Sequence, residues 1–456
     1  MTPRRAPSRR VHVLTHLLTA IVLVTAGVLI GARLEWAVHL AGFRKPLVSA
    51  GLIFFLLAVL HARPAVAAWS VRLCFVVLGL VLALLAVELT GRGIGLDFRS
   101  QRALLERTPP NWRLPRVPLA PVYFRREGGV EWTGQVMRTY LRSIGLVAEA
   151  YADEPVITLR YDEHGFRNEP RPSAWEIAVA GDSFTELGDV PYERLFTTIL
   201  ARNLGCRVLN LGVGGTGAFT QLSYLEHFGI SPRTRDVMVV FFEGNDLWDI
   251  VVERAAAVRF SETGERPWRR LKPQTSFLRA LGERWNRSGA KGGPVEPRID
   301  GWFAGPGGET AITLGYPPPG RAGLLAAQVE ALDEFFRQYA RFAAARGVRP
   351  WLAYMPGKER VLHGHIRWAP DAEPFLRQWE PNDLPQVVAE HCARYRVRFV
   401  DLTPDLIRHV REVRELVFNH LHDCHLNARG SEVVAATLTH ALRDADEPLA
   451  AADEGR

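Results

Sequence analysis

The sequence predicts an α/β protein: a flavodoxin-like parallel sheet sandwiched by helices, preceded by N-terminal transmembrane helices. Two observations predict it. Between about residues 155 and 445, short apolar runs alternate with stretches of helical period, as a parallel sheet covered on both faces requires. The first ninety residues, by contrast, hold three long apolar runs, at 13–30, 47–60 and 73–89.

The first and third runs have the length needed to cross a hydrocarbon core of ~30 Å, and the second does so only if extended from Pro46 to Ala62. The first is longer than the ~7–15-residue core of a signal peptide and lacks a small-x-small cleavage site. Residues 1–91 are therefore expected to form three transmembrane helices, with two as the alternative. Arg4, Arg5, Arg9 and Arg10 precede the first run, and Arg63 and Arg72 flank the second loop. Arg33, Arg44 and Lys45 in the first loop are fewer. Basic residues stay inside, so three crossings leave everything after about Gly91 outside the cytoplasm, and two would reverse that. The expectation is a multi-pass protein of the cell membrane with an extracytoplasmic domain and the lipid bilayer as a partner.

Residues 92–154 read as a linker, Pro-rich at 108–121 and helical at 135–150. The domain follows at 155–445. Its strands are expected at 176–180, 207–211, 237–242, 350–355 and 397–400, in the order 2-1-3-4-5. Its helices are expected at 192–204, 218–228, 324–346, 384–395 and 431–443. Pro191 suits the first turn of the first of these. Residues 251–320 break the alternation with many Gly, Pro and Arg and no clear strand, so they read as an insertion. Residues 446–456 read as a flexible tail.

The formal charge of +7 is modest for 456 residues, and no basic block with interleaved aromatics marks a nucleic-acid footprint. Of four cysteines, Cys74 lies in an apolar run, leaving Cys206, Cys392 and Cys424. Three soluble cysteines make no disulfide framework, although one pair is open to them.

Four segments carry chemistry. Gly181-Asp182-Ser183-Phe184-Thr185 follows the first strand and Asn210-Leu211-Gly212-Val213-Gly214-Gly215 ends the second. Glu243-Gly244-Asn245-Asp246 follows the third, and Asp423-Cys424-His425-Leu426-Asn427 lies near the end of the domain. All but the last belong to the carboxyl edge of one sheet, where open α/β folds put their ligands. Acyl chemistry needs a hydroxyl, a base held in the right tautomer and donors for an oxyanion. Ser183 supplies the hydroxyl, His425 the base and Asp423 its orienting carboxylate. The Ser183 N–H, the Gly215 N–H and the Asn245 carboxamide supply the oxyanion donors. A phosphate loop would need Lys-Ser/Thr after its glycines, which is missing here. His363, His365, His420 and His422 have no spacing that demands zinc. The turn 161–168 (Tyr-Asp-Glu-His-Gly-Phe-Arg-Asn) reads equally as the mouth of a crevice or as structural.

These four segments, in this order, resemble the SGNH (GDSL-like) hydrolase superfamily, in its bacterial branch with membrane-anchoring helices. The likeness covers most of 155–445. It implies that Ser183, Gly215 and Asn245 form the oxyanion hole, that His425 is the base, and that catalysis requires no cofactor. One departure is that a single residue separates Asp423 from His425, where the family has two. Short Asp-x-His spacing occurs in SGNH-like polysaccharide O-acetyltransferases, though ahead of the serine. The resemblance implies a membrane-anchored serine hydrolase acting on an acyl or acetyl ester through an acyl-enzyme. One alternative is an O-acyltransferase that modifies a cell-envelope glycan together with a membrane acyl-transfer partner. The other is a non-catalytic glycan-binding or assembly protein.

Overall fold

In a computed structural model of the chain, the residues described are 117–119, 123–144, 146, 149–264, 297–315 and 317–445, with residue 277 and scattered positions between 13 and 94. The chain divides into two compact units, residues 1–106 with 272–293 and residues 107–271 with 294–456. In the first, the described positions from 13 to 24 and from 72 to 91 are helical. Among the described residues no helix is long and apolar enough to cross a membrane. Each of the three expected spans includes residues outside the described ones, as does the expected tail at 446–456.

The second unit is built on five parallel strands: β1 (Ile177–Gly181), β2 (Val208–Gly212), β3 (Asp236–Phe242), β4 (Arg349–Met355) and β5 (Arg398–Asp401). Their spatial order is 2-1-3-4-5, as the sequence predicts. The side-chain period of two sends alternate residues to opposite faces. Ala178, Ala180, Val237, Val239 and Phe241 pack against helices Ala218–Phe228, Ala326–Arg346 and Leu384–Tyr395. Ile177, Val179, Met238, Val240 and Phe242 pack against Phe196–Leu204, Thr403–Glu412 and Ala428–Asp444. β1 and β3 are buried at every residue, as central strands of a doubly covered sheet must be.

Two regions differ from the sequence reading. The stretch 251–320 is not strand-free. The helix Asp246–Thr263 runs into it, and strands Gly301–Gly305 and Gly308–Ile312 form a hairpin extended by Ile366–Trp368. Short glycine-bearing strands without an apolar alternation hide from a period-based reading. The expected linker at 92–154 also carries structure. Strand Glu131–Gly134 pairs with Ile157–Arg160, which was not expected, while Val136–Ile144 is a helix within the expected 135–150. Met137, Leu141 and Tyr151 bury themselves against Leu421, in the loop that carries Asp423 and His425.

Candidate active site

Ser183 opens the one-turn helix Ser183–Glu186 at the carboxyl end of β1. Asp182 caps that turn by accepting from the Phe184 N–H at 2.8 Å. The turn fits because the strands beneath it end in glycine. Gly181 and Gly212 are paired across β1 and β2. A Cβ on Gly212 would stand 2.3 Å from the Glu186 nitrogen, and one on Gly181 2.1 Å from Thr185 Oγ1. Below the turn, the wholly buried Arg167 donates to the carbonyls of Glu186, Leu187 and Val190. The segment 161–168 is therefore a brace for the nucleophile turn.

His425 and Asp423 lie on an irregular loop between helices Thr403–Glu412 and Ala428–Asp444. The loop is closed by the bridge between Phe418 and Leu426 and by the Asn419 N–H donating to the His425 carbonyl. Ser183 Oγ is 2.7 Å from His425 Nε2, and His425 Nδ1 is 2.6 Å from Asp423 Oδ1. The far oxygen of Asp423 accepts from Asn419 Nδ2 at 2.6 Å. The same nitrogen also donates to Asp189.

The loop after β2 lies against Ser183, for a Cβ on Gly214 would come within 3.2 Å of the serine Cβ. The two N–H groups preceding Gly215 are committed. Val213 donates to the Gly181 carbonyl at 3.0 Å and Gly214 to Glu186 Oε2 at 2.6 Å. Gly215 itself is left-handed, at φ 72°. Glu186 also accepts from Tyr161 and, in a two-pronged pair, from Arg126. Asn245 caps the helix Asp246–Thr263 at the end of β3, and its Nδ2 donates to Asp249 Oδ2 at 2.7 Å. The Asn245 side chain also hydrogen-bonds Asp182, the residue before the serine.

The model of the GDSL-like lipase/acylhydrolase family matches residues 179–433, more than half of the chain. The chain belongs to that family. It is a hydrolase acting on ester bonds. No curated protein sequence matches it. Among solved structures it is similar to an acetyl xylan esterase (11% identity, TM-score 0.32, covering 59% of this chain and 99% of that one). A variant of an acetyl-xylooligosaccharide esterase from Geobacillus is similar at 13% identity and TM-score 0.29, covering 59% and 94%. A phospholipase A1 from Streptomyces albidoflavus is similar at 13% identity and TM-score 0.24, covering 59% and 99%.

The electrostatics of this hydrolase follow from burial. Burial disfavours the charged His425 ring, but the Asp423 charge and hydrogen bond, with Asp189 and Asp182 further off, outweigh it and raise the imidazole above the ordinary range. Burial likewise disfavours the Asp423 carboxylate, and His425, Asn419 and Lys358 reverse that and hold it low. Asp189 is pushed up by burial and by Asp423, which outweigh His425 and the hydrogen bond from Asn419. The Cys424 thiol is raised by burial and Asp423, which makes it a poor nucleophile. Donor atoms of Asp423, Cys424 and His425 lie within 4.8 Å of one another, yet both imidazole nitrogens already have partners in Asp423 and Ser183.

Asn419, Asp189, Glu186 and Arg126 are site residues that sequence reasoning missed. The only signal for the first pair was their closeness in sequence to Asp423 and Ser183. Arg126 lay in the segment read as linker.

Proposed function

We propose that the protein is a membrane-anchored serine hydrolase that cleaves an acyl or acetyl ester through an acyl-enzyme on Ser183. The observation that carries this reading is the unbroken hydrogen-bonded line Ser183–His425–Asp423 at 2.7 and 2.6 Å. Ser183 Oγ attacks the ester carbonyl while His425 Nε2 takes its proton. Asp423, on Nδ1, keeps the ring in the tautomer whose Nε2 is free to accept, and stabilises the imidazolium that forms. The developing oxyanion is met by the N–H groups of Ser183 and Gly215 and by the Asn245 amide. His425 returns its proton to the departing alcohol. Water, deprotonated by the same nitrogen, then releases the acid and frees Ser183. Anchorage by helices within residues 1–91, with the domain facing outward, is supported by the apolar runs and by the arginines before the first of them.

The test is p-nitrophenyl acetate turnover by the purified full-length protein beside Ser183→Ala. A wild-type rate that the variant loses supports the acyl-enzyme. Equal rates in both refute the role of Ser183. No rate in either folded protein refutes hydrolysis of a simple acetyl ester and points to acyl transfer or to glycan binding.

A further inference from the structure

The short helix Lys358–Leu362 follows β4 and begins with three charged residues in succession, all buried. Glu359 accepts from the Gly315 N–H, and Arg360 pairs with Glu243 at 2.7 Å just before Asn245. Lys358 is 0% exposed and its partners are carbonyl oxygens rather than a carboxylate. Its ammonium donates to Asn419 O at 2.6 Å, Thr313 O at 2.7 Å, His420 O at 2.8 Å and Asp423 O at 3.2 Å. Three of these four belong to the five residues that end at Asp423.

The loop 417–427 belongs to no helix or strand: its backbone is closed by the two bonds of the Phe418–Leu426 bridge, and the Thr313 N–H and the Tyr151 hydroxyl donate to the carbonyls of His420 and Leu421. Buried carbonyls in such a loop must find donors. Burying an ammonium costs several kcal/mol unless its protons are all used. Burial pulls Lys358 down to about 8, while Asp423 and Cys424 act the other way, so it stays charged at neutral pH. A core-filling role would be served by Met at no such cost. The arrangement is that of a cation site whose cation is tethered to β4.

We propose that Lys358 is a positioning residue: its ammonium holds the carbonyls of Asn419, His420 and Asp423 together, and so sets the place of Asp423 and His425 relative to Ser183. The inference rests on the reading of those three residues as the acyl-transfer machinery. It assigns Lys358 no contact with substrate. Loss of the ammonium takes a donor from four carbonyls, of which His420 keeps the Thr313 N–H, and the loop must re-form to reach others. A displacement of about 1 Å at the base is enough to cost on the order of 100-fold in rate.

The experiment is Lys358→Met in the full-length protein, isosteric and uncharged, with three readouts: urea unfolding, kcat against KM on p-nitrophenyl acetate, and the deshielded proton resonance of the His425–Asp423 hydrogen bond. The expected result is a folded protein with KM within about twofold, kcat lowered on the order of 100-fold, and the resonance lost or broadened. A folded variant with near wild-type kcat and an intact resonance overturns the proposal. The resonance reports the His425–Asp423 bond without turnover, so a wild-type rate that proves independent of Ser183 would sink the proposed function and leave this test standing. Should Lys358→Met not fold, Lys358→Ala is titrated with propylammonium. Recovery of the resonance with that amine, but not with tetramethylammonium, supports the tethered-cation role, and no recovery overturns it.

Discussion

Asp423→Asn is the substitution whose outcome the geometry dictates most closely. The Asp423 carboxylate does two things for His425: it supplies a negative charge, and it accepts the Nδ1 proton so that Nε2 faces Ser183 as an acceptor. Removing the charge forfeits about 4 kcal/mol for a pair at ~4 Å in an effective dielectric of ~20. That is roughly three orders of magnitude in rate. The second effect depends on Asn419. Its Nδ2 donates to the outer oxygen of Asp423 at 2.6 Å. A carboxamide at 423 must turn its own oxygen toward that donor, which leaves its NH2 facing His425 Nδ1. The ring must then put its proton on Nε2, where it cannot accept from Ser183. A wrong tautomer of this kind costs ~10⁴-fold.

The expected loss in kcat/KM for Asp423→Asn is therefore about 10³–10⁴-fold, with KM little changed, measured by p-nitrophenyl acetate hydrolysis. The double variant Asn419→Ala with Asp423→Asn lets the new amide flip, and recovers on the order of tenfold over the single variant. An Asp423→Asn protein that keeps a tenth of wild-type activity would refute the assignment of Asp423. A double variant no better than the single would refute the orienting role of Asn419.

Three further expectations follow from the same site. Because Asp423, Asp189 and Asp182 raise His425 and the neutral ring is the base, kcat/KM falls as pH drops, with a midpoint above the ~6.5 of an ordinary histidine; removing the Asp423 charge moves that limb to lower pH, as a pH–rate series on both proteins will read. Gly212→Ala drives a Cβ into the Ser183–Glu186 turn, so stability drops by about 1–3 kcal/mol in urea unfolding and esterase activity falls with it. Arg126→Met strips the partner from the buried Glu186 and is expected to cost about 3–5 kcal/mol by the same measurement.

What the sequence made legible were the parts with a period or a fixed spacing. Five strands and their order emerge from apolar runs separated by helical stretches, since a doubly covered parallel strand has to be apolar on both sides. Ser183, Gly215 and Asn245 are legible because each sits at a fixed offset from a strand end. Asp423 and His425 are legible from their neighbours in the motif. The rest was hidden for a physical reason. Arg126, Arg167 and Lys358 act across 19 to 65 residues of sequence on loops and turns, and Asn419 reaches four residues to Asp423 and 230 to Asp189. No local period marks such a contact. A lone Lys after a strand reads as a solvated helix start, and Lys358 is wholly buried.

These hidden residues share one logic. A hydrolytic site at a sheet edge must be assembled from turns, and turns leave carbonyls without the partners that helices and strands provide. Here two cations fill that need. Arg167 collects the carbonyls of Glu186, Leu187 and Val190 below the serine, and Lys358 collects those of Asn419, His420 and Asp423 below the histidine. Each fixes one half of the Ser183–His425 contact. Because the acceptors are main-chain groups, many side chains can vary along both loops without releasing them. The cations themselves have no such latitude: a neutral residue at either position takes the side-chain donor from three or more carbonyls at once.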